Sequence, residues 1–241
     1  MLQCQLSEEY TIDIGHTDSR GLARPSTIID FMQDIATRHA EQTGLAEGAT
    51  RQHAFWVLSR LRYEMKRPLR SYETVRVTTW PRQIKGALWY RDFRFEVNGE
   101  EVGTAVTGWA IVNWETRKLM RPQLLQAEIP EQIVGKPEFL KGIRCPETVP
   151  CFDRVVRYSD IDVNRHLNNV KAVDILSDAF GLEQSETRWV YKMQVNYLNE
   201  TRCGTTLHIR SCTQENSLIV AAFDGEQENV QAEIFFSDEE G

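Results

Sequence analysis

Hydrophobic and polar positions along this chain run through the same series of patterns twice. Between Phe55 and Met65, the side chains of Leu61, Tyr63 and Met65 fall on one face of an extended segment and Arg60, Arg62 and Glu64 on the other, the period-two alternation of a half-buried strand. Trp189, Tyr191, Met193, Val195 and Tyr197 alternate in the same way with Val190, Lys192, Gln194 and Asn196. A second strand follows each, carrying Val75 and Val77 in the first series and Leu207 and Ile209 in the second. Further strands are expected at Phe93, Phe95 and Val97 and over 106–114, and again over 218–223 and 230–236. Upstream of each series the period changes to three and four. Ile28, Phe31, Ile35 and His39 predict a helix over 27–43, and Val170, Val173, Leu176 and Phe180 predict another after residue 167. Each series therefore reads as a short leading strand, one long helix packed on a curved antiparallel sheet, and about four strands. This is an α+β unit, and two in tandem cover each other's edges.

Five of the eight prolines (Pro122, Pro130, Pro137, Pro146, Pro150) lie in a stretch with neither period, which predicts a linker over 122–150 between halves 1–121 and 151–241. The 241 residues suffice for two cores. The longest apolar run, Leu218 to Phe223, is far short of the roughly 20 residues of a bilayer span. The first nine residues lack the basic start and apolar stretch of a secretory signal. Five cysteines without C-x-x-C spacing argue against a disulfide framework and a zinc ribbon and fit a reducing, cytoplasmic setting. Asn199-Glu200-Thr201 matches a glycosylation pattern and, without an export signal, is read as chance.

The densest polar cluster is Tyr158-Ser-Asp-Ile-Asp-Val-Asn-Arg-His-Leu-Asn-Asn169, ending where the second helix begins. Taken alone it is a turn rich in helix-capping residues. As a calcium loop from Asp160 it fails, because position six is Arg165 instead of Gly and position twelve is Lys171 instead of Glu. No G-x-S-x-G, G-x-x-x-x-G-K-[ST] or G-x-G-x-x-G occurs, and His16, His39, His53 and His208 form no ligand pattern, so no metal site is expected.

Asp160-Ile-Asp-Val-Asn-Arg-His-Leu-Asn-Asn-Val-Lys171, Glu200 three residues after Tyr197, Gly204, Trp56-Val57 and Trp80-Pro81 together resemble the acyl-acyl carrier protein (ACP) thioesterases of plants and bacteria. The resemblance extends from about Tyr10 to about Phe236. It implies a tandem double hotdog fold and hydrolysis of acyl-ACP thioesters to free fatty acid, without a cofactor. It also implies catalytic residues Asp162, Asn164, His166 and Glu200. Plant members carry a cysteine directly after that glutamate; here Thr201 occupies the position, which removes the case for a thiol nucleophile. Thioester hydrolysis needs an activated water and donors aimed at an oxyanion. Glu200 can act as general base, His166 can hold the water or shuttle its proton, Asn164 can donate a hydrogen bond, and Asp162 can orient either. The helix N-terminus at Asn168 and Asn169 offers backbone N–H groups and a positive dipole end.

Aligning Val155 with Ile12 sets Ser19 opposite Asp162, Gly21 opposite Asn164 and Ala23 opposite His166, and aligning Met193 with Leu61 sets Pro68 opposite Glu200. The first copy has then lost every catalytic group, which points to one active site per chain and a first half that binds the acyl chain. His39 reads as a core-edge histidine, and Trp56, Trp89, Trp109 and Trp114 as core or pocket wall. The net charge is -7, yet residues 51–94 carry 11 Lys+Arg against 3 Asp+Glu. That stretch is either a solvated sheet face or a docking surface for an acidic carrier protein through Arg60, Arg62, Lys66, Arg67 and Arg70. Nucleic acid is a poor partner for a chain of this sign, no membrane span is expected, and a homodimer stays open. The rivals are an acyl-CoA thioesterase, a hotdog module that binds acyl thioesters without cleaving them, and a dehydratase.

Overall fold

The computed structural model describes residues 4–122, 138–144, 147–181 and 186–238. Most of the proline-rich stretch, and with it the linker expected there, lies outside the described residues. Two compact units are present: Met1–Ile12, Asp30–Tyr63 and Tyr72–Lys141 form one, and Asp13–Ile29, Glu64–Ser71 and Gly142–Gly241 the other.

The first unit contains β1 (Leu6–Thr11), most of α1 (Pro25–Gln42), α2 (Leu45–Arg51), most of β2 (Ala54–Met65), β3 (Thr74–Lys85), β4 (Leu88–Val97), β5 (Glu100–Asn113) and the two-residue β6 (Leu119–Met120). Its strands are ordered β1-β3-β4-β5-β2, with β6 on the end of β5. Alternation decides which residues face inward: Leu61, Tyr63 and Met65 are buried while Arg60, Arg62 and Glu64 are not. The buried face of α1 carries Ile28, Phe31, Ile35 and His39 as expected, joined by Ile29, Met32 and Ala36. Each large apolar side chain so buried contributes about 1.5–3 kcal/mol. α2 is not in the sequence reading, because a seven-residue helix leaves only Leu45 and Ala49 as an apolar signal.

The second unit contains β7 (Val149–Val155), α3 (Asn169–Ser177), β8 (Arg188–Tyr197), β9 (Thr206–Thr213), β10 (Ser217–Asp224) and β11 (Gln227–Asp238), ordered β8-β11-β10-β9-β7. α3 packs on β10 and β11 through a face that includes Ala172, Val173, Ile175 and Leu176. It has nine residues, shorter than the long helix expected, because Asp178 caps it and the chain turns. Phe180, expected on the helix, instead packs edge-on against Phe236 at 5.4 Å.

The two hairpins at the heart of the units are built alike. In one, Val97 pairs with Glu100, Glu96 with Glu101 and Phe95 with Gly103; in the other, Asp224 pairs with Gln227, Phe223 with Glu228 and Ala222 with Val230. Each second strand therefore carries one extra residue at the same place, Val102 in β5 and Asn229 in β11.

Candidate active site

The polar cluster leaves the sheet of the second unit after β7. Asp160, 5% exposed, anchors its base. Arg154 Nη2 donates to both its carboxylate oxygens at 3.1 Å, the Arg157 N–H donates to Oδ2 at 2.7 Å, and the Asp160 carbonyl accepts the Asn168 N–H at 2.8 Å. Asp162 closes the next turn. Its Oδ1 accepts the N–H groups of Asn164 at 2.8 Å and His166 at 3.2 Å, and its Oδ2 accepts from Asn164 Nδ2 at 3.3 Å. Arg165 sits at φ 65°, a conformation that costs a non-glycine residue about 1–2 kcal/mol and lets the turn close beneath His166.

The loop is then tied to the segment after β8. The Leu167 N–H donates to the Thr201 carbonyl at 2.8 Å, and His166 and Arg202 form an antiparallel bridge. His166 Nε2 comes to 3.2 Å from Glu200 Oε2, with the imidazole 18% and the carboxylate 44% exposed. A largely buried imidazole thus faces a solvent-accessible carboxylate, and the amide two residues before it in the loop is held by a second carboxylate.

Asn168 does something other than expected. Its Oδ1 caps α3 by accepting the N–H groups of Val170 at 2.8 Å and Lys171 at 3.4 Å, so those two donors are taken. Asn169 opens the helix, and its carbonyl accepts the Tyr197 hydroxyl at 3.1 Å. Burial raises the Tyr197 phenol above its ordinary pKa.

The first half contains the same loop with different side chains. Asp18 Oδ1 accepts the N–H groups of Arg20 at 2.9 Å and Leu22 at 3.0 Å, Gly21 takes the positive φ of 75°, and the Ala23 N–H donates to the Leu69 carbonyl at 2.8 Å. Asp18 is therefore the counterpart of Asp162, Arg20 of Asn164, Leu22 of His166 and Leu69 of Thr201. This corrects the sequence alignment by one residue, because Ile12 and Val156 make the equivalent bonds, to Glu73 O and Thr205 O. Pro68 remains opposite Glu200. The carboxylate that closes the turn is present in both copies; the Asn164 amide, the His166 imidazole and the Glu200 carboxylate have counterparts of other chemistry in the first.

The five basic residues expected at a docking surface divide between the units. Arg60 donates to the Leu140 carbonyl at 2.7 Å and Arg62 pairs with Glu138, so both hold the 138–140 segment on their own unit. In the other unit Lys66 and Arg70 are exposed, and Arg67 donates to the Pro68 carbonyl at 2.9 Å.

Within the first unit, Ala36, Ala40, Leu45, Trp56, Trp89 and Trp109 line much of an apolar cavity of about 210 Å³. Three of the four tryptophans are thus pocket wall, and Trp114 is an exposed residue stacked edge-on with His53. Arg91 reaches the same cavity. It is 6% exposed and donates to His39 Nδ1 at 2.9 Å and Thr79 Oγ1 at 3.2 Å. A guanidinium only donates, so His39 accepts at Nδ1. His39 is wholly buried instead of at the core edge, and burial lowers Arg91 to about 10. No motif in the sequence announced this pair: Arg91 shares the parity of Phe93, Phe95 and Val97 and so lies on the buried face of its strand. Among the described residues no group of His, Cys, Asp or Glu is arranged to hold a metal ion, and no helix is long and apolar enough to cross a membrane.

Comparison with known proteins places this geometry in a family. The acyl-ACP thioesterase N-terminal domain matches residues 4–130 and the C-terminal domain residues 152–238. Oleoyl-acyl carrier protein thioesterase 1, chloroplastic, of Arabidopsis thaliana is 22% identical over 216 residues, which cover 80% of this chain and 59% of that protein. The chain spans about half the length of the curated relatives it matches, 59%, 51% and 48% for three of them. An acyl-ACP thioesterase from Bacteroides thetaiotaomicron superposes with a TM-score of 0.88 at 23% identity, covering 97% of this chain and 98% of that one. The 12:0-ACP thioesterase from Umbellularia californica superposes at 0.82 with 18% identity over 99% of both chains. These structures share the tandem double hotdog fold. With both domain matches in place, the chain belongs to the acyl-ACP thioesterase family.

Proposed function

We propose that this protein hydrolyses the thioester of an acyl chain carried on acyl carrier protein, releasing free fatty acid and the carrier thiol. The 3.2 Å contact between His166 and Glu200 carries the reading, because it pairs a loop imidazole with a solvent-accessible carboxylate of the segment after β8, and the other copy has Leu22 and Pro68 at these positions. Glu200 takes a proton from water as its oxygen bonds to the thioester carbon. Asn164 has a second amide hydrogen beyond the one on Asp162, and it steadies the charge that develops on the carbonyl oxygen. The carbon–sulfur bond then breaks, and the proton returns through His166 to the departing thiolate. Asp162 fixes the turn and the Asn164 amide.

The first half supplies binding without chemistry, its apolar cavity taking part of the acyl chain. Lys66 and Arg70 suit an acidic carrier surface. Hydrolysis of matched acyl-ACP and acyl-CoA substrates, from short to long chains, tests the proposal. Higher kcat/KM on the carrier substrate is expected. Preference for acyl-CoA would make the protein a CoA thioesterase, and enoyl product without free acid would make it a dehydratase.

A further inference from the structure

We infer that Asn229, acting with Thr201, is the positioning residue that sets Glu200 against His166; the inference rests on the reading of Glu200 as the base. β8 ends at Tyr197, and residues 198–201 belong to no strand. Asn229 holds this segment. Its carbonyl accepts the N–H groups of Leu198 at 2.8 Å and Asn199 at 3.1 Å, and its Nδ2 donates to the Glu200 carbonyl at 3.2 Å and to Thr201 Oγ1 at 2.8 Å. Asn229 is 1% and Thr201 4% exposed, so these bonds are shielded from water. Because the Thr201 carbonyl accepts the Leu167 N–H, one short chain of hydrogen bonds links β11, the Glu200 backbone and the loop that bears His166.

The internal repeat separates this role from a general need of the fold. Asn229 is the extra residue of its bulge, and its counterpart by register is Val102, buried at 4% exposure. Thr201 corresponds to Leu69, buried at 2%. In the copy with Pro68 and Leu22 in place of Glu200 and His166, the two matching positions thus each hold a buried apolar side chain. The amide and hydroxyl appear only where there is a glutamate to hold. The amide also brings a penalty, since Asn229 Oδ1 is buried without a hydrogen-bond partner among the described residues. Its two N–H donors are what the position gains in exchange.

The test replaces Asn229 by the residue of the other copy. In Asn229→Val, kcat should fall about tenfold to a hundredfold, the scale of a misplaced catalytic group, with KM within about twofold and an unchanged or higher Tm. Thr201→Val should lose kcat in the same direction, and Thr201→Ser, which keeps the hydroxyl, should recover it. A purified Asn229→Val protein that keeps more than half its kcat would overturn the inference, and so would a loss that only follows a lowered Tm. A crystal structure of the variant provides a reading independent of turnover: His166 and Glu200 should separate beyond hydrogen-bond distance, and a retained contact near 3 Å would refute the role. A wild-type protein inactive on every acyl thioester would instead overturn the proposed function, leaving the structural comparison to decide the positioning role.

Discussion

Removing the turn-closing carboxylate from each copy of the loop separates its structural role from its chemical one. Asp162→Ala deletes two backbone N–H acceptors at 2.8 and 3.2 Å, and Asp18→Ala deletes two at 2.9 and 3.0 Å. Both side chains are partly exposed, so each bond is taken at the ordinary net value of about 0.5–1.5 kcal/mol and each variant loses about 1–3 kcal/mol. A chain of this length shifts in Tm by about 2–4 °C per kcal/mol, so both variants should melt several degrees lower and by similar amounts. Turnover should diverge. Asp162→Ala also releases the Asn164 amide held at 3.3 Å, and kcat should fall at least about tenfold, whereas Asp18→Ala serves a loop with Arg20 and Leu22 in the chemical positions and should keep kcat within about twofold. Thermal unfolding and steady-state hydrolysis on the same preparations read both quantities. Equal losses of kcat at equal losses of Tm would refute the division of roles between the copies.

Three further outcomes follow from the geometry. Burial, with Glu138 adding to it and Arg82 opposing, raises Asp92 to about 6 from an ordinary 3.8, so the folded state favours the protonated acid; its contribution is fully present below about pH 4 and lost as pH rises through about 6, up to about 3 kcal/mol, and Asp92→Asn should abolish that slope in chemical denaturation. An unchanged slope in Asp92→Asn would remove Asp92 as its source. Lys66→Gln with Arg70→Gln should raise KM for the acyl-carrier substrate at low salt and leave kcat nearly intact, and rising ionic strength should erase the difference; a KM indifferent to both would remove these residues from docking. Titration with a slow substrate analogue should find one hydrolytic site per chain, and two equivalent sites would contradict the loss of chemistry at Arg20, Leu22 and Pro68.

The alternation around Tyr63 and Met193 and the spacing of Ile28, Phe31 and Ile35 made the strands and first helix legible, because burial on one face imposes a period on the sequence. The loop that holds His166 was legible for a different reason: its acids and amides are too dense for an ordinary surface turn. The roles inside it were less so. Asn168 and Asp160 have the same side-chain chemistry as Asn164 and Asp162, and only hydrogen-bond geometry separates a cap and an anchor from a donor and its orienting carboxylate. The copy-to-copy alignment slipped because one residue of difference lies in a segment with no period to register it. Asn229 was illegible because a single polar residue in a strand looks like an outward position until the bulge turns it inward. His39 was misread as an edge residue since its hydrogen bond to Arg91, 52 residues away in sequence, is what allows both to be buried.

The central claim is that Glu200 and His166 perform hydrolysis on an acyl-carrier thioester, and single-turnover release of carrier thiol by wild type, Glu200→Gln and His166→Ala tests it most directly. Each variant should keep the wild-type melting temperature within a few degrees, since Glu200 is 44% exposed and His166 lies at the edge of its loop, and each should slow the chemical step at least about a hundredfold. Thiol release near the wild-type rate from either folded variant would contradict the assignment of that residue, and from both it would place the chemistry elsewhere in the protein.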